Sequence, residues 1–389
     1  MPNKIIGLFV LLLGGFSQFG VNLSPVVAQG ETSLQSDASA ACDANWQGEI
    51  DAIIQRPEFA RAQWGILVRS LDAERSIYAL NEHRYFLGAS TVKLLTTAAA
   101  LERLGADYRI RTPFYTLGQP PVLETLLVAG RGDPSLSTEN LSAIARQLYR
   151  QGVRQIDQLI ADDRFFSEPH RSLTWEWGDL FFYYAPAVNS LILNQNRFSL
   201  TFSPQQIGDS LNLSWRDEIA AAQWQLENST LTSPAGTSNR LAINGSLGQP
   251  LLEIRGTLAV DASPLSWNLA ILNPRRYFLE SLQASLEDEG IQVRQARLAR
   301  PEDSTNDFAE LTAIASPPLA ILLQETNRSS NNLYAEALLL TLGAVAGDRG
   351  SRTAGLDVVR NTLTQLGVDP DSYLLADGSG LSRHNLVSP

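Results

Sequence analysis

The spacing of apolar and polar positions divides the chain into stretches of different texture. Trp64-Gly65-Ile66-Leu67-Val68-Arg69-Ser70-Leu71 and Ser76-Ile77-Tyr78-Ala79-Leu80 read as two strands joined by a turn at Asp72-Ala73-Glu74-Arg75. A helix is predicted from Ser90 to about Leu104, with Gly105 as its stop. From Tyr108 to about Arg300 short strands alternate with turn clusters, and Ser137 to Gln151 is the clearest helix there. A helix-rich stretch begins at Pro317 and includes Asn331 to Leu342 and Thr353 to Leu366. No internal repeat is evident. The pattern predicts an α+β fold in which a helix-and-sheet domain, built from both chain ends (45–115 and 305–389), is interrupted by a β-rich insertion (116–304).

At 389 residues the chain is long enough for two or three domains with a sizeable core. A net charge of −11, with no basic run after the first residues, argues against nucleic acid or an anionic membrane surface as partner. Met1 to Ala28 reads as a signal peptide: Lys4 gives the positive start, Ile5 to Gly15 the apolar core, and Val26-Val27-Ala28 the small-residue cleavage site. That apolar run is too short for a membrane span, so the expectation is an exported protein without a transmembrane anchor. Residues 29–44, rich in Gly, Ser, Thr, Gln and Ala, read as a flexible linker. Cys42 is the only cysteine, which excludes an intrachain disulfide. His83, His170 and His384 are scattered without ligand spacing. Neither a metal site nor a Ser-His-Asp triad is expected, and no cofactor is implied.

One residue type is distributed unusually. After Lys4 the only lysine is Lys93, in Ser90-Thr91-Val92-Lys93; every other cationic side chain is arginine. Arginine stays protonated, whereas a buried lysine amine can lose its proton and act as a base. Positions i and i+3 share a helix face, so Ser90 Oγ and Lys93 Nζ can meet. A helix N-cap is the plain structural role for Ser90. Lysine at position 93 fits that role poorly, because a capping box wants Glu or Gln there and a first-turn cation opposes the helix dipole.

A second cluster opens the late helix: Asn327-Arg328-Ser329-Ser330-Asn331-Asn332-Leu333-Tyr334-Ala335-Glu336. Alone, these Ser and Asn residues are capping residues. Beside Ser90 and Lys93, a second hydroxyl and an amide supply what acyl transfer needs: a proton relay and a hold on a peptide group.

Ser-x-x-Lys followed far downstream by Ser-x-Asn resembles the pattern of penicillin-binding proteins and serine β-lactamases. More closely, the chain resembles the D-alanyl-D-alanine carboxypeptidase/endopeptidase family of penicillin-binding protein 4 (class C, low molecular mass). The resemblance is carried by Gly88-Ala89-Ser90-Thr91-Val92-Lys93, Gly130-Arg131-Gly132-Asp133-Pro134-Ser135-Leu136, Ala161-Asp162-Asp163-Arg164-Phe165 and Trp175-Glu176-Trp177-Gly178-Asp179. Tyr184-Ala185-Pro186, Ser330 to Glu336 and Asp377-Gly378-Ser379-Gly380-Leu381-Ser382 extend it through nearly the whole chain after the leader. The 240 positions between Ser90 and Ser330 suit a family that inserts domains there.

The resemblance implies a penicillin-binding-protein/serine β-lactamase-like transpeptidase domain and a periplasmic or cell-wall serine hydrolase of peptidoglycan stem peptides ending in D-Ala-D-Ala. β-Lactam antibiotics would be covalent inhibitors. Ser90 would be the nucleophile, Lys93 its base and Ser330 a proton relay. Asn332 would hold the peptide, and Asp162 matches a family position facing the substrate. The Leu-Tyr-Ala-Glu that follows selects the frame Ser330/Asn332 over Ser329/Asn331. The family's third motif, Lys-Thr-Gly on a strand, has no counterpart in these residues, which leads to the expectation of a copy truncated before that motif and defective as an enzyme. Two other classes stay open. A catalytically inactive peptidoglycan- or partner-binding protein is favoured by the missing motif; a β-lactamase shares the first two motifs but usually has a compact insertion.

Overall fold

A computed structural model of the chain describes residues 46–389 apart from 72–74, 168–169, 247–248, 305 and 348–349. The expected leader, the linker, Cys42 and most of the Asp72–Arg75 turn lie outside the described residues. Two units divide the chain. The smaller is described over 46–62 and 68–78; the larger comprises 63–67 and 79–389. In the smaller unit the helix α1 (Trp46–Ile54) is tied down by Asp51, which accepts a 2.7 Å hydrogen bond from the Tyr78 hydroxyl. β1 (Ile66–Arg69) and β2 (Ser76–Leu80) form a two-stranded sheet, and neither pairs with any other described strand.

The larger unit starts with β3 (Phe86–Leu87), a single 3-10 turn (Ala89–Thr91) and α2 (Val92–Leu104), which stops at Gly105. A five-stranded sheet follows from β4 (Arg111–Gln119), β5 (Val122–Ala129) and, across the helix α3 (Thr138–Arg150), β6 (Gln155–Asp162). Three further strand groups come next. β7 (Arg197–Ser203) and β8 (Asn212–Trp215) precede the short helix α4 (Glu218–Ala221). β9 (Gln225–Ser233), β10 (Arg240–Gly245) and β11 (Leu251–Ala259) make one three-stranded sheet, and β12 (Leu265–Ala270) joins β7 and β8 in another. Then α5 (Pro274–Asp288) leads to β13 (Gln292–Leu298) and β14 (Ala309–Ala315), the two outer strands of the order β13-β6-β5-β4-β14.

Strand period explains how the five-stranded sheet buries both faces. Leu126 and Val128 of β5 turn to one face with Leu141, Ile144 and Leu148 of α3 and Leu282 and Leu286 of α5. Leu127 and Ala129 turn to the other, with Ile160. The helix α5 was not expected from the sequence. Asn273 caps it and Pro274 starts it, with Tyr277, Phe278, Leu282 and Leu286 buried. The expected insertion boundaries shift as well. Position 115/116 falls inside β4, and β14 pairs with β4 from Arg111↔Ala315 to Ala309↔Thr116, so this sheet runs from Arg111 to Ala315.

The chain then returns to α2. α6 (Leu319–Arg328), α7 (Asn332–Ala346) and α8 (Arg352–Gln365) pack with α2 in one core that includes Val92, Ala99, Ala100, Leu322, Leu338, Leu339 and Val359. α7 is buried on all sides from Leu333 to Gly343, as befits a helix apolar all round. Its approach to α8 needs glycine: a Cβ on Gly355 would lie 2.2 Å from the Leu339 carbonyl oxygen. Finally β15 (Tyr373–Leu374) and β16 (Leu386–Val387) form an antiparallel sheet with β3, pairing Leu386 with Leu87 just before Ser90. Among the described residues no helix is long and apolar enough to cross a membrane.

Leu339 is fully buried between α8 and the loop at Gly378. Leu339→Ala is expected to cost about 2–5 kcal/mol of stability, measured by urea unfolding.

Candidate active site

Ser90 sits in the 3-10 turn that feeds α2, and its side chain caps no helix. The preceding Ala89 has φ 44°, in the left-handed region that side chains rarely adopt. Lys93, one turn on, is 1 % exposed. Its Nζ lies 3.0 Å from Ser90 Oγ, 2.6 Å from Asn332 Oδ1 and 2.7 Å from the Ser379 carbonyl oxygen. Two of these partners are carbonyl oxygens that can only accept. A neutral amine would satisfy them with its two N–H bonds and leave its lone pair facing the Ser90 hydroxyl.

Burial pushes the Lys93 pKa down to about 8, against the opposing pull of the Glu336 and Asp377 carboxylates. Those two carboxylates hold the loop beneath the amine. Glu336 Oε1 accepts from the Gly378 and Ser379 N–H groups, both at 2.9 Å, and Oε2 faces Arg352 at 3.4 Å. Full burial, then the neighbouring Asp377, push its pKa up to about 7. Asp377 accepts from Gly380 N (2.8 Å), Ser382 N (2.7 Å), Asn385 Nδ2 (2.7 Å) and Trp175 Nε1 (2.8 Å). Thr96 Oγ1 donates to the Gly378 carbonyl at 2.7 Å. The 377–385 loop is thus fixed from both sides.

The second cluster meets the first. Ser330 Oγ donates to Ser90 Oγ at 2.7 Å, from a backbone with φ 52°. Asn332 is held by its own Nδ2, which donates to the Tyr184 carbonyl at 2.7 Å, so its oxygen is turned to Lys93. Capping falls to Asn331, whose side chain accepts from Tyr334 N, while Ser329 ends α6. The two Ser-x-Asn frames therefore differ in their contacts: Ser330 and Asn332 meet Ser90 and Lys93, whereas Ser329 and Asn331 end one helix and cap the next.

Asp162 is not brought to this cleft. It ends β6 and its carboxylate is taken by Arg164, with Nε and Nη2 both at 2.8 Å and the Arg164 N–H at 3.0 Å. An arginine two residues along captures the carboxylate locally, so the expected substrate contact has no support in its geometry. The carboxylate in the cleft is Asp179, which accepts from Tyr184 OH at 3.0 Å. Sequence reading gave no role to it, to Glu336 or to Asp377. The cleft beside Ser90 holds about 320 Å³ and is also lined by Leu87, Asn332, Gly380, Ser382 and Arg383. Among the described residues no cluster of His, Cys, Asp and Glu suits a metal ion.

A serine hydroxyl held by a buried lysine and a second serine, at the start of a helix packed on helices and short antiparallel strands, defines a penicillin-binding type of serine peptidase. The chain belongs to the D-Ala-D-Ala carboxypeptidase 3 (S13) family, whose model matches residues 46–389, and is a serine-type D-Ala-D-Ala carboxypeptidase. It is 30% identical over 381 residues to a D-alanyl-D-alanine carboxypeptidase of Actinomadura sp., covering 95% of this chain and 70% of that one. It is 29% identical to penicillin-sensitive carboxypeptidase A of Dictyostelium discoideum, covering 84% of this chain and 67% of the relative. Among solved structures it is similar to penicillin-binding protein 4 (DacB) of Haemophilus influenzae, with a TM-score of 0.73 at 25% identity over 84% of this chain and 72% of that one.

Gly380 has φ 80°, and a Cβ there would lie 1.7 Å from the Ala89 carbonyl oxygen. Gly380→Ala is expected to push the Ala89–Ser90 backbone out of place and lower the acylation of Ser90 by a chromogenic thioester about 100-fold, the order of effect of a 1 Å misplacement. Circular dichroism should remain that of the parent.

Proposed function

We propose that the carboxypeptidase acts on peptidoglycan stem peptides through a Ser90 acyl-enzyme. The observation that carries this reading is the Lys93 amine, buried and within hydrogen-bond distance of Ser90 Oγ. Neutral Lys93 takes the Ser90 proton as Oγ attacks the carbonyl of the penultimate D-Ala. The Ser90 N–H, near the positive end of α2, supplies one donor to the oxyanion. The proton passes by way of Ser330 to the departing D-Ala nitrogen. Asn332, besides steadying Lys93, orients the substrate's peptide group. Water then attacks the ester, Ser90 regains its proton and the shortened peptide leaves. A β-lactam carbonyl would enter the same position and acylate Ser90. Export is supported by the leader-like Met1 to Ala28.

Ser90→Ala is expected to abolish both D-Ala release and labelling by a fluorescent penicillin. Label retained in Ser90→Ala would place the nucleophile elsewhere. Lys93→Arg keeps the charge but has no usable lone pair, and should lose about 10²–10⁴ in acylation rate.

The base must be neutral, so acylation should rise with pH and level off above about 8, where Lys93 loses its proton. Glu336 favours the ammonium form. Glu336→Gln should therefore move the rising limb to lower pH. A profile that moves upward, or one that falls across this range, would remove Lys93 as base.

A further inference from the structure

Asn194, Gln195 and Asn196 all have left-handed backbones, with φ 49°, 56° and 50°. Asparagine visits that region at times, but glutamine rarely does, and consecutive residues there need outside support. The surroundings give it. Asn196 is fully buried, and its Nδ2 donates to the Ala187 carbonyl at 2.8 Å and to Asn189 Oδ1 at 3.0 Å. Asn194 accepts from the Thr138 N–H at the start of α3 at 3.1 Å, and its Nδ2 donates to Thr138 Oγ1 at 2.7 Å and to Tyr277 OH at 2.6 Å. The 130–136 stretch singled out in the sequence supplies the remaining ties. Gly132 N–H donates to the Ser190 carbonyl at 2.8 Å, and the Leu136 carbonyl accepts from the Asn194 N–H at 2.9 Å.

Gln195 is the middle of this turn, and its side chain reaches the start of α7. Its Oε1 accepts from Asn331 Nδ2 at 2.9 Å. The direction of that bond is fixed from the far side, because Asn331 Oδ1 is already taken by the Tyr334 N–H as the cap of α7. Position 195 must therefore present an acceptor. Between Ser329, where α6 ends, and Asn331 stands Ser330, itself left-handed. Asn332 has a separate anchor in the Tyr184 carbonyl. The Ser330 hydroxyl is instead directed at Ser90, so its aim follows from the backbone on either side. On the α7 side that backbone is clamped at Asn331, whose N–H donates to the Thr326 carbonyl at 3.0 Å and whose side chain is held by Gln195.

We infer that Gln195 is a positioning residue of the Ser90 site: through Asn331 it holds Ser330 in the backbone conformation that aims its hydroxyl at Ser90. The inference rests on the proton relay given to Ser330 under the proposed function. Gln195 touches none of the reacting atoms, yet it should matter most where the leaving group has to be protonated. A departing D-Ala nitrogen takes up a proton as its C–N bond breaks, whereas a thiolate leaves as the anion.

The test compares, in the full chain, D-Ala release from a peptide ending in D-Ala-D-Ala with turnover of a chromogenic thioester. Ser330→Ala is the reference, expected to lose about 10²-fold on the peptide and far less on the thioester. Gln195→Met keeps the side-chain length and removes the acceptor. It should lose about tenfold in kcat on the peptide, with KM and the thioester rate close to those of the parent. Gln195→Glu presents an acceptor again and should recover most of that loss. With Gln195→Met and Ser330→Ala combined, the peptide rate should equal that of Ser330→Ala alone, since the clamp then has no hydroxyl to aim. Losses that multiply in the combined variant, a Gln195→Glu as slow as Gln195→Met, or a Gln195→Met as fast as the parent would overturn the inference. So would equal losses on both substrates from Gln195→Met where Ser330→Ala discriminates between them. A Ser330→Ala variant that slows both substrates alike sinks the relay instead, and the coupling between positions 195 and 330 then decides this inference by itself.

Discussion

The site depends on the burial of one amine. Lys93 gives up its hydration and receives three oxygen atoms, from Ser90, Asn332 and Ser379. Desolvation weakens its hold on a proton, and the two carboxylates below restore part of it. The balance puts the amine near neutrality's upper side, where it can take a proton from a hydroxyl and hand it on. Because its partners come from the turn before α2, the start of α7 and the 377–385 loop, the amine also joins segments far apart in the sequence.

Those carboxylates do structural work with electrostatic consequences. Glu336 and Asp377 are spent on backbone N–H groups of the loop, an arrangement that satisfies donors a tight turn would otherwise bury unpaired. Their placement makes the loop shape and the basicity of Lys93 two aspects of one network. A change that loosens the loop also changes the charge felt by the amine.

What the sequence revealed followed from range. Ser90 and Lys93 are three residues apart on one helix face and Lys93 stands alone among arginines, so local geometry sufficed. Ser330 and Asn332 needed the family resemblance, because in a string of Ser and Asn the capping residue looks like its neighbours; only the fold gives capping to Asn331. Glu336 reads as an ordinary helix glutamate until α7 is seen to be buried on every side. Asp162 went the other way: a matching motif suggested substrate, whereas Arg164 claims the carboxylate. The helix α5 was missed since its buried Tyr277, Phe278 and Leu282 are interleaved with arginine, glutamate and glutamine.

The antiparallel pairing of β4 with β14 has a topological consequence. Arg111 and Ala315 lie opposite each other, so everything between them leaves and re-enters through a single neck. Once that neck is zipped, α2 and α7 are near neighbours whatever the length of chain looped out between them. The entropy of closing that long loop is met by the sheet rather than by the hydroxyl and amine contacts it brings together. Strand groups inside the loop can therefore differ in length so long as Trp175 and Tyr184, which meet Asp377 and Asn332, keep their places.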